Sequence, residues 1–594
     1  MTVHKFHIPV MGIGFSMDTP IKVAKYGISS VISLVDDSLM EKMREFYCKK
    51  MNIPFVAIGK SEDDFRARRI TSYLNLIDNI VKKKFKELRA SSFEKGSEII
   101  KYLEMLPDDS KLRHVYNKML QTKDNETVKK MQNWLRENLF VGSIDVNIMT
   151  KLDKTNFNGE KELSIEYNDG HAALRGFALS DLNSSIVLSA GINARLYSYM
   201  ANFEDFYPDE NGFLKKGITL KVSDYRSALT QGKFLAKKGL WVSEYRVESG
   251  LNCGGHCFAT EGYLLGPILE EFKKHKEELI HLTHELFVTA LKKRNKPFSD
   301  TPLYTKITVQ GGISNSKEQD FLFDYYKVVS TGWASPFLLV PEVTNVDQTT
   351  LRLLSNTKGE DLYLSDISPM GVPFNTIKGN TKDEQKQVLI ERGTPGSACP
   401  KKILVLNKEF TKRAICTASH QYQNLKIKKL EQESLDQDEY ENLFSKIVEK
   451  SCICVGLGTA ALLVNNLDTT VEGNGVSICP GPNIAYFSRL VSLQEMVAHI
   501  YGRINILNEN CRPNMFVKEL DMYVDYLRKT VEQSLKPLME KQIKYFKSFQ
   551  NNLQEGINYY KNLFSTVIEE SKSVKDKLLA ELEKLEKELF CIQF

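Results

Sequence analysis

The residues best placed to do chemistry stand together at Gly250-Leu251-Asn252-Cys253-Gly254-Gly255-His256, directly after the apolar run Leu240 to Val247. A buried strand ending in paired glycines lets backbone N–H groups approach an anion closely, and the His that follows sits at the strand mouth, where it meets a substrate as acid or base. Ile307-Thr308-Val309-Gln310-Gly311-Gly312-Ile313 repeats the pattern about sixty residues on and leads through a helical segment to Tyr326 to Gly332. Two such pairs in order, each at a strand end, suit a phosphate cradle built from backbone N–H groups. Cys253 and Cys257 flank His256, but a zinc site there lacks a fourth ligand and conflicts with the cradle.

Five of the ten cysteines fall between residues 399 and 479, at Cys399, Cys416, Cys452, Cys454 and Cys479. Their Gly and Pro neighbours suit thiolates presented by tight turns, as in iron-sulfur ligation, although the spacing matches no cluster signature. Buried, unreactive thiols are the competing reading.

The elements that must position these residues alternate strand and helix. Strands are expected within residues 1–58, the last at Pro54 to Ile58, then at Ile144 to Met149, Ile186 to Gly191, Ile218 to Val222, Leu240 to Val247, Ile307 to Val309 and Lys327 to Ser330. Residues 60–138 are charged and helical, with Ile70, Leu74, Ile77 and Val81 at helical spacing, and read as an insertion. This alternation predicts an α/β fold with a parallel sheet closed into a (β/α)8 barrel.

On these residues the chain resembles the nitronate monooxygenase family, the 2-nitropropane dioxygenase-like FMN barrels that include flavin-dependent enoyl-acyl-carrier-protein reductases. Gly250 to His256 is similar to its Gly-x-Glu-Ala-Gly-Gly-His signature, with Asn252 in place of Glu and Cys253 in place of Ala. Pro9 to Gly14, Ile144 to Met149, Gln310 to Ile313 and Val328 to Leu338 resemble further family segments in order, over roughly the first 380 residues. The resemblance implies FMN as cofactor, with His256 as the proton-transfer residue. Met11, Gly12, Asn147 and Ser249 would lie along the flavin, and Gly254, Gly255, Gly311, Gly312 and Gly332 would hold its phosphate. It implies an FMN-dependent oxidoreductase acting on a small carbon acid or unsaturated substrate, with NAD(P)H or a redox partner as electron source. An iron-sulfur flavoprotein and a non-catalytic flavin-barrel scaffold are the alternatives.

The 594 residues divide into a barrel over 1–380, an accessory α/β domain over 381–510 with strands at Lys402 to Leu406 and Ile453 to Gly458, and a helical arm over 511–594. In that arm Val567, Val574, Leu578, Leu582, Leu585 and Leu589 approximate a three-four spacing. This predicts either a helical hairpin broken near Pro537 or a coiled-coil arm for homo-oligomers. No run approaches the roughly 18 to 20 apolar residues of a membrane span, and Met1 to Phe6 lacks a signal-peptide core, so a cytoplasmic protein is expected. A net charge of +5, spread along the chain, argues against nucleic acid as a partner.

Overall fold

The computed structural model describes residues 3–253, 261–508, 512–534, 537–567 and 572–594. Eight parallel strands close into a barrel: β1 (Phe6–Ile8), β2 (Ser29–Ser33), β3 (Ile144–Ile148), β4 (Ser184–Leu188), β5 (Lys216–Val222), β6 (Val242–Glu248), β7 (Lys306–Gln310) and β8 (Thr331–Gly332). Each strand pairs with its sequence neighbours, and β8 pairs with β1 to complete the circle. The (β/α)8 barrel read from the sequence is therefore the fold.

Alternation along β6 explains how the barrel is filled. Tyr245 and Val247 are buried, with Tyr245 against Phe272 of the helix Leu265–Lys293, whereas Glu244, Arg246 and Glu248 occupy the alternate positions. Arg246 acts electrostatically on His7 of β1 and Asp145 of β3, strands not adjacent to β6, so these polar side chains share the barrel interior.

Between β2 and β3 stand five helices, Asp37–Lys50 and then four in the expected helical stretch, the longest Phe65–Ala90, whose Ile70, Tyr73, Leu74, Ile77 and Val81 make one buried face. Side-chain caps start four of them, from Asp36, Ser97, Ser110 and Asp124.

Several expected strands are corrected. Pro54 to Ile58 joins no sheet; the Val56 and Ile58 carbonyls accept hydrogen bonds from the Arg44 and Arg69 side chains instead. Pro9 to Gly14 lies beyond the end of β1. Lys327 to Ser330 precedes β8, because Lys327 takes a left-handed turn at φ 58°. Lys402 to Leu406 is not a strand, and Ile453 to Gly458 belongs to a helix, Ile453–Val464. That run is apolar on every side, so no period separates helix from strand, and burial admits either.

The arm after residue 511 comprises helices Met515–Glu532, Glu540–Thr566 and Lys572–Phe590, with a break around Pro537. Leu578, Leu582, Leu585 and Leu589 are buried within the chain. Gly266 N donates to Tyr560 Oη at 3.0 Å, joining the arm to the helix that follows β6. No single described helix is long and apolar enough to cross a membrane; Gln437–Val448 and Ile453–Val464, bent by 45°, reach that length only as a pair.

Candidate ligand site at the barrel mouth

A cavity of about 360 Å³ opens over the C-terminal ends of the strands, within the size range of small-molecule sites. Ser33, Asn147, Lys221, Glu248 and Gln310 come from strand ends and form its polar floor. Its roof comes from the later half of the chain, including Leu404, Cys454, Leu457, Glu519 and Tyr523.

Glu248 organises the floor. Its Oε1 accepts from Lys221 Nζ at 3.0 Å, Asn252 Nδ2 at 2.7 Å and Gln310 Nε2 at 2.7 Å. A carboxylate takes only donors, so these contacts fix both amides with their nitrogens toward Glu248. The Oδ1 atom of Asn147, a residue only 5 % exposed, has no hydrogen-bond partner among the described residues. A buried carbonyl oxygen left open at a cavity wall asks for an N–H or O–H from a ligand.

Beneath this floor lies a second polar layer. Glu244 accepts from Arg246 Nε at 2.7 Å and Thr308 Oγ1 at 2.6 Å. Burial pushes the Glu244 carboxyl up, but the Arg246 guanidinium, with the hydrogen bonds from Arg246 and Thr308, outweighs it and leaves the pKa at about 2. His7 is driven down to about 3, by burial first and then by Arg246, and is neutral. Burial raises Asp145, against hydrogen bonds from Ser143 and the Ser185 backbone.

The loop after β6 is clamped from above. Glu519 is 2 % exposed and accepts from Ser249 Oγ at 2.7 Å, Gly250 N at 3.0 Å and Leu265 N at 2.7 Å. Burial nonetheless raises its pKa. On the other side the Cys253 thiol donates to the Cys479 carbonyl at 3.3 Å, Gly481 N donates to Ser335 Oγ at 2.8 Å, and Asn483 Nδ2 donates to the Ile313 carbonyl at 3.3 Å. Residues 479–483 thus fill the corner beside the loops that follow β6, β7 and β8.

Of the expected site residues, Gly12, Asn147 and Ser249 line the cavity, and Met11 is buried beside it without forming its wall. Gly254, Gly255 and His256 lie outside the described residues. Gly311, Gly312 and Gly332 do not line the cavity. Gly311, at φ 98°, lies so close to Asn252 that a Cβ would come within 2.9 Å of its backbone. A Cβ on Gly332 would meet Gln310 Cβ at 2.5 Å. These glycines make room for the chain itself. Cys399, Cys416, Cys452, Cys454 and Cys479 are all buried, and the Cys479 carbonyl takes part in the Cys253 contact. Among the described residues no three His, Cys, Asp or Glu side chains are arranged to hold a metal ion.

Sequence reasoning missed Lys221, Glu248 and Gln310 as floor residues and Glu519 and Tyr523 as roof. The charged alternation in Glu244-Tyr245-Arg246-Val247-Glu248 was the available signal for the floor. Nothing local marks a glutamate in an amphipathic helix hundreds of residues away.

No protein-family model and no curated protein matches the chain. Among solved structures, the enoyl reductase domain of MlnA, from the macrolactin biosynthesis cluster of Bacillus amyloliquefaciens, is similar at 13 % identity and a TM-score of 0.32, covering 66 % of this chain and 85 % of that one.

The site fits a flavin in part. Asn147, with its unpartnered oxygen, and Lys221 suit the polar edge of a ring laid across the floor. At the β7 and β8 glycines, Asn252, Leu251 and Gln310 stand where a Cβ would go.

Proposed function

We propose that the chain is an FMN-dependent oxidoreductase of the nitronate monooxygenase or enoyl reductase type, acting on a small carbon acid or unsaturated substrate at the barrel mouth. The observation that carries this reading is the roofed cavity at the strand ends with the open Asn147 oxygen at its floor. FMN supplies two-electron redox chemistry when bound. Asn147 orients the ring through its carbonyl oxygen, and Glu248 holds Lys221 and Gln310 in place beside it. Tyr523, Leu457 and Cys454 exclude water from above. Gly254 and Gly255, with Gly311, Gly312 and Gly332, would hold the phosphate through backbone N–H groups. His256 moves the substrate proton, as an imidazole of near-neutral pKa can.

The filled corner at residues 479–483 favours a second reading, a barrel that binds a ligand with no phosphate and no flavin. One experiment separates the two: an anaerobic absorption spectrum of the purified protein, with the acid-released cofactor identified. The first reading expects FMN stoichiometric with the chain and lost in Asn147→Leu. A protein that stays colourless after incubation with FMN refutes it and leaves the second.

A further inference from the structure

Below the cavity floor the barrel is filled by polar side chains whose hydrogen-bonding groups outnumber their partners. Of the N–H groups on the Arg246 guanidinium, a residue 2 % exposed, only Nε has an acceptor among the described residues, Glu244 Oε1 at 2.7 Å. Thr308 Oγ1 donates to the same oxygen at 2.6 Å. Thr219 Oγ1, His7 Nε2 and Gln310 Oε1 have no hydrogen-bond partner among the described residues, on residues 0 %, 6 % and 2 % exposed. Buried polar groups are almost always bonded, so this many in one place points to something that bonds them.

The groups face one another across the barrel interior. Strand register sets Thr219 beside Glu244, Arg246 beside Thr308, and Gln310 and His7 on either side of Gly332. Lys221, Glu248 and Gln310, each two residues further along its strand, belong to the cavity floor, so Thr219, Arg246 and Thr308 form the layer beneath it. Gly332 keeps space between the other two, since a Cβ there would come within 3.0 Å of His7 Nε2 and 2.5 Å of Gln310 Cβ. At the barrel base Asp145, Ser185 and Lys306 lie near the starts of β3, β4 and β7, on the inward face by the same alternation. All three are half-buried rather than sealed, so the lumen is reached from below.

The mixture of groups identifies the ligand. Arg246 offers only donors and Gln310 Oε1 only accepts, whereas the Thr219 hydroxyl and His7 Nε2 can do either. An anion would serve the donors alone and a cation the acceptors alone. Water serves both, and buried water typically makes about three hydrogen bonds to such groups. We propose that the lumen between Thr219, Arg246, Gln310 and His7 is a binding site for ordered water, filled from the barrel base. This water completes the hydrogen bonds of Arg246 and holds the Gln310 amide by its oxygen while its nitrogen holds Glu248 at 2.7 Å. Bound water thereby positions the polar floor of the ligand site, whichever ligand lies above it.

The test is a crystal structure of the full-length protein at a resolution that shows single waters, with and without a bromide soak, together with urea unfolding of Thr219→Val. The expected map has a solvent peak in hydrogen-bond range of an Arg246 Nη atom and of Thr219 Oγ1, His7 Nε2 or Gln310 Oε1, with no anomalous bromide signal there. The expected urea midpoint of Thr219→Val is lower than that of the wild type, because a hydroxyl bonded to water loses that bond. In a dry lumen the unpartnered hydroxyl is itself a cost, and Val raises the midpoint by removing it. No peak, a bromide signal at the peak, or a midpoint unchanged or raised would overturn the proposal. If Thr219→Val does not fold, the wild-type map decides alone. None of these readouts depends on flavin.

Discussion

Glu519 is the point at which the C-terminal arm grips the barrel, and removing its carboxylate has a calculable effect. In Glu519→Ala the Ser249 hydroxyl can turn elsewhere, but the backbone N–H groups of Gly250 and Leu265 lose their acceptor. A buried donor left unpaired costs about 1–3 kcal/mol, so the two together cost about 2–6 kcal/mol. Relief of the carboxylate's own burial, visible in its raised pKa, offsets part of this and leaves a net loss of about 2–4 kcal/mol. That is a large share of the roughly 5–15 kcal/mol that holds a folded protein together. Glu519→Gln keeps Oε1 for Ser249 and Gly250 but sets an amide nitrogen against Leu265 N, so it loses about 1–3 kcal/mol. Urea unfolding of the three proteins at neutral pH, reading midpoint and slope, should rank wild type above Gln above Ala. A Glu519→Ala protein within about 0.5 kcal/mol of wild type, with an unchanged slope, would refute the clamp.

Two further outcomes follow from buried groups. Burial lowers His4 from 6.5 to about 4, and burial with Arg246 lowers His7 from 6.5 to about 3, so both are neutral in the fold while the unfolded chain binds protons below 6.5. The unfolded state then holds more protons between about pH 4 and 6.5, so stability is complete above this window and falls as pH drops through it. At pH 5 each histidine removes about 2 kcal/mol, and His7→Gln should flatten the fall in urea midpoint between pH 7 and 5; an unchanged slope counts against it. Leu582 is 0 % exposed inside the arm, so Leu582→Ala should lose about 2–5 kcal/mol, with a Tm that does not depend on protein concentration. A concentration-dependent Tm would mean that the leucine stripe is a seam between chains.

The barrel could be read because its strands carry their own signals: β-branched runs at Ile218 to Val222 and Ile307 to Val309, closed by turn residues and separated by helical periods. Boundaries slipped where one backbone angle decided them, as at Lys327, and helix was taken for strand at Ile453–Val464, where uniform burial erases any period. The site was harder to read for a different reason. A Gly-Gly pair reports that something comes close to the backbone but not what, and at Gly311 the neighbour is Asn252 of the same chain. Likewise the Cys-Pro pairs at 399–400 and 479–480 look alike in sequence, yet Cys399 takes a left-handed backbone at φ 55° while Cys479 contributes its carbonyl to Cys253.

These contacts join the two halves of the chain into one site. The strand ends supply a charged floor that is open above, and an open floor leaves the Lys221–Glu248 pair in water, where such pairs are weak. Leu404, Cys454, Leu457, Glu519 and Tyr523, all beyond residue 380, roof that floor into a partly covered cavity in which the same charges interact more strongly. Residues 381–594 therefore complete the site, and the chemistry of the barrel mouth is set as much by helices Ile453–Val464 and Met515–Glu532 as by the strands beneath them.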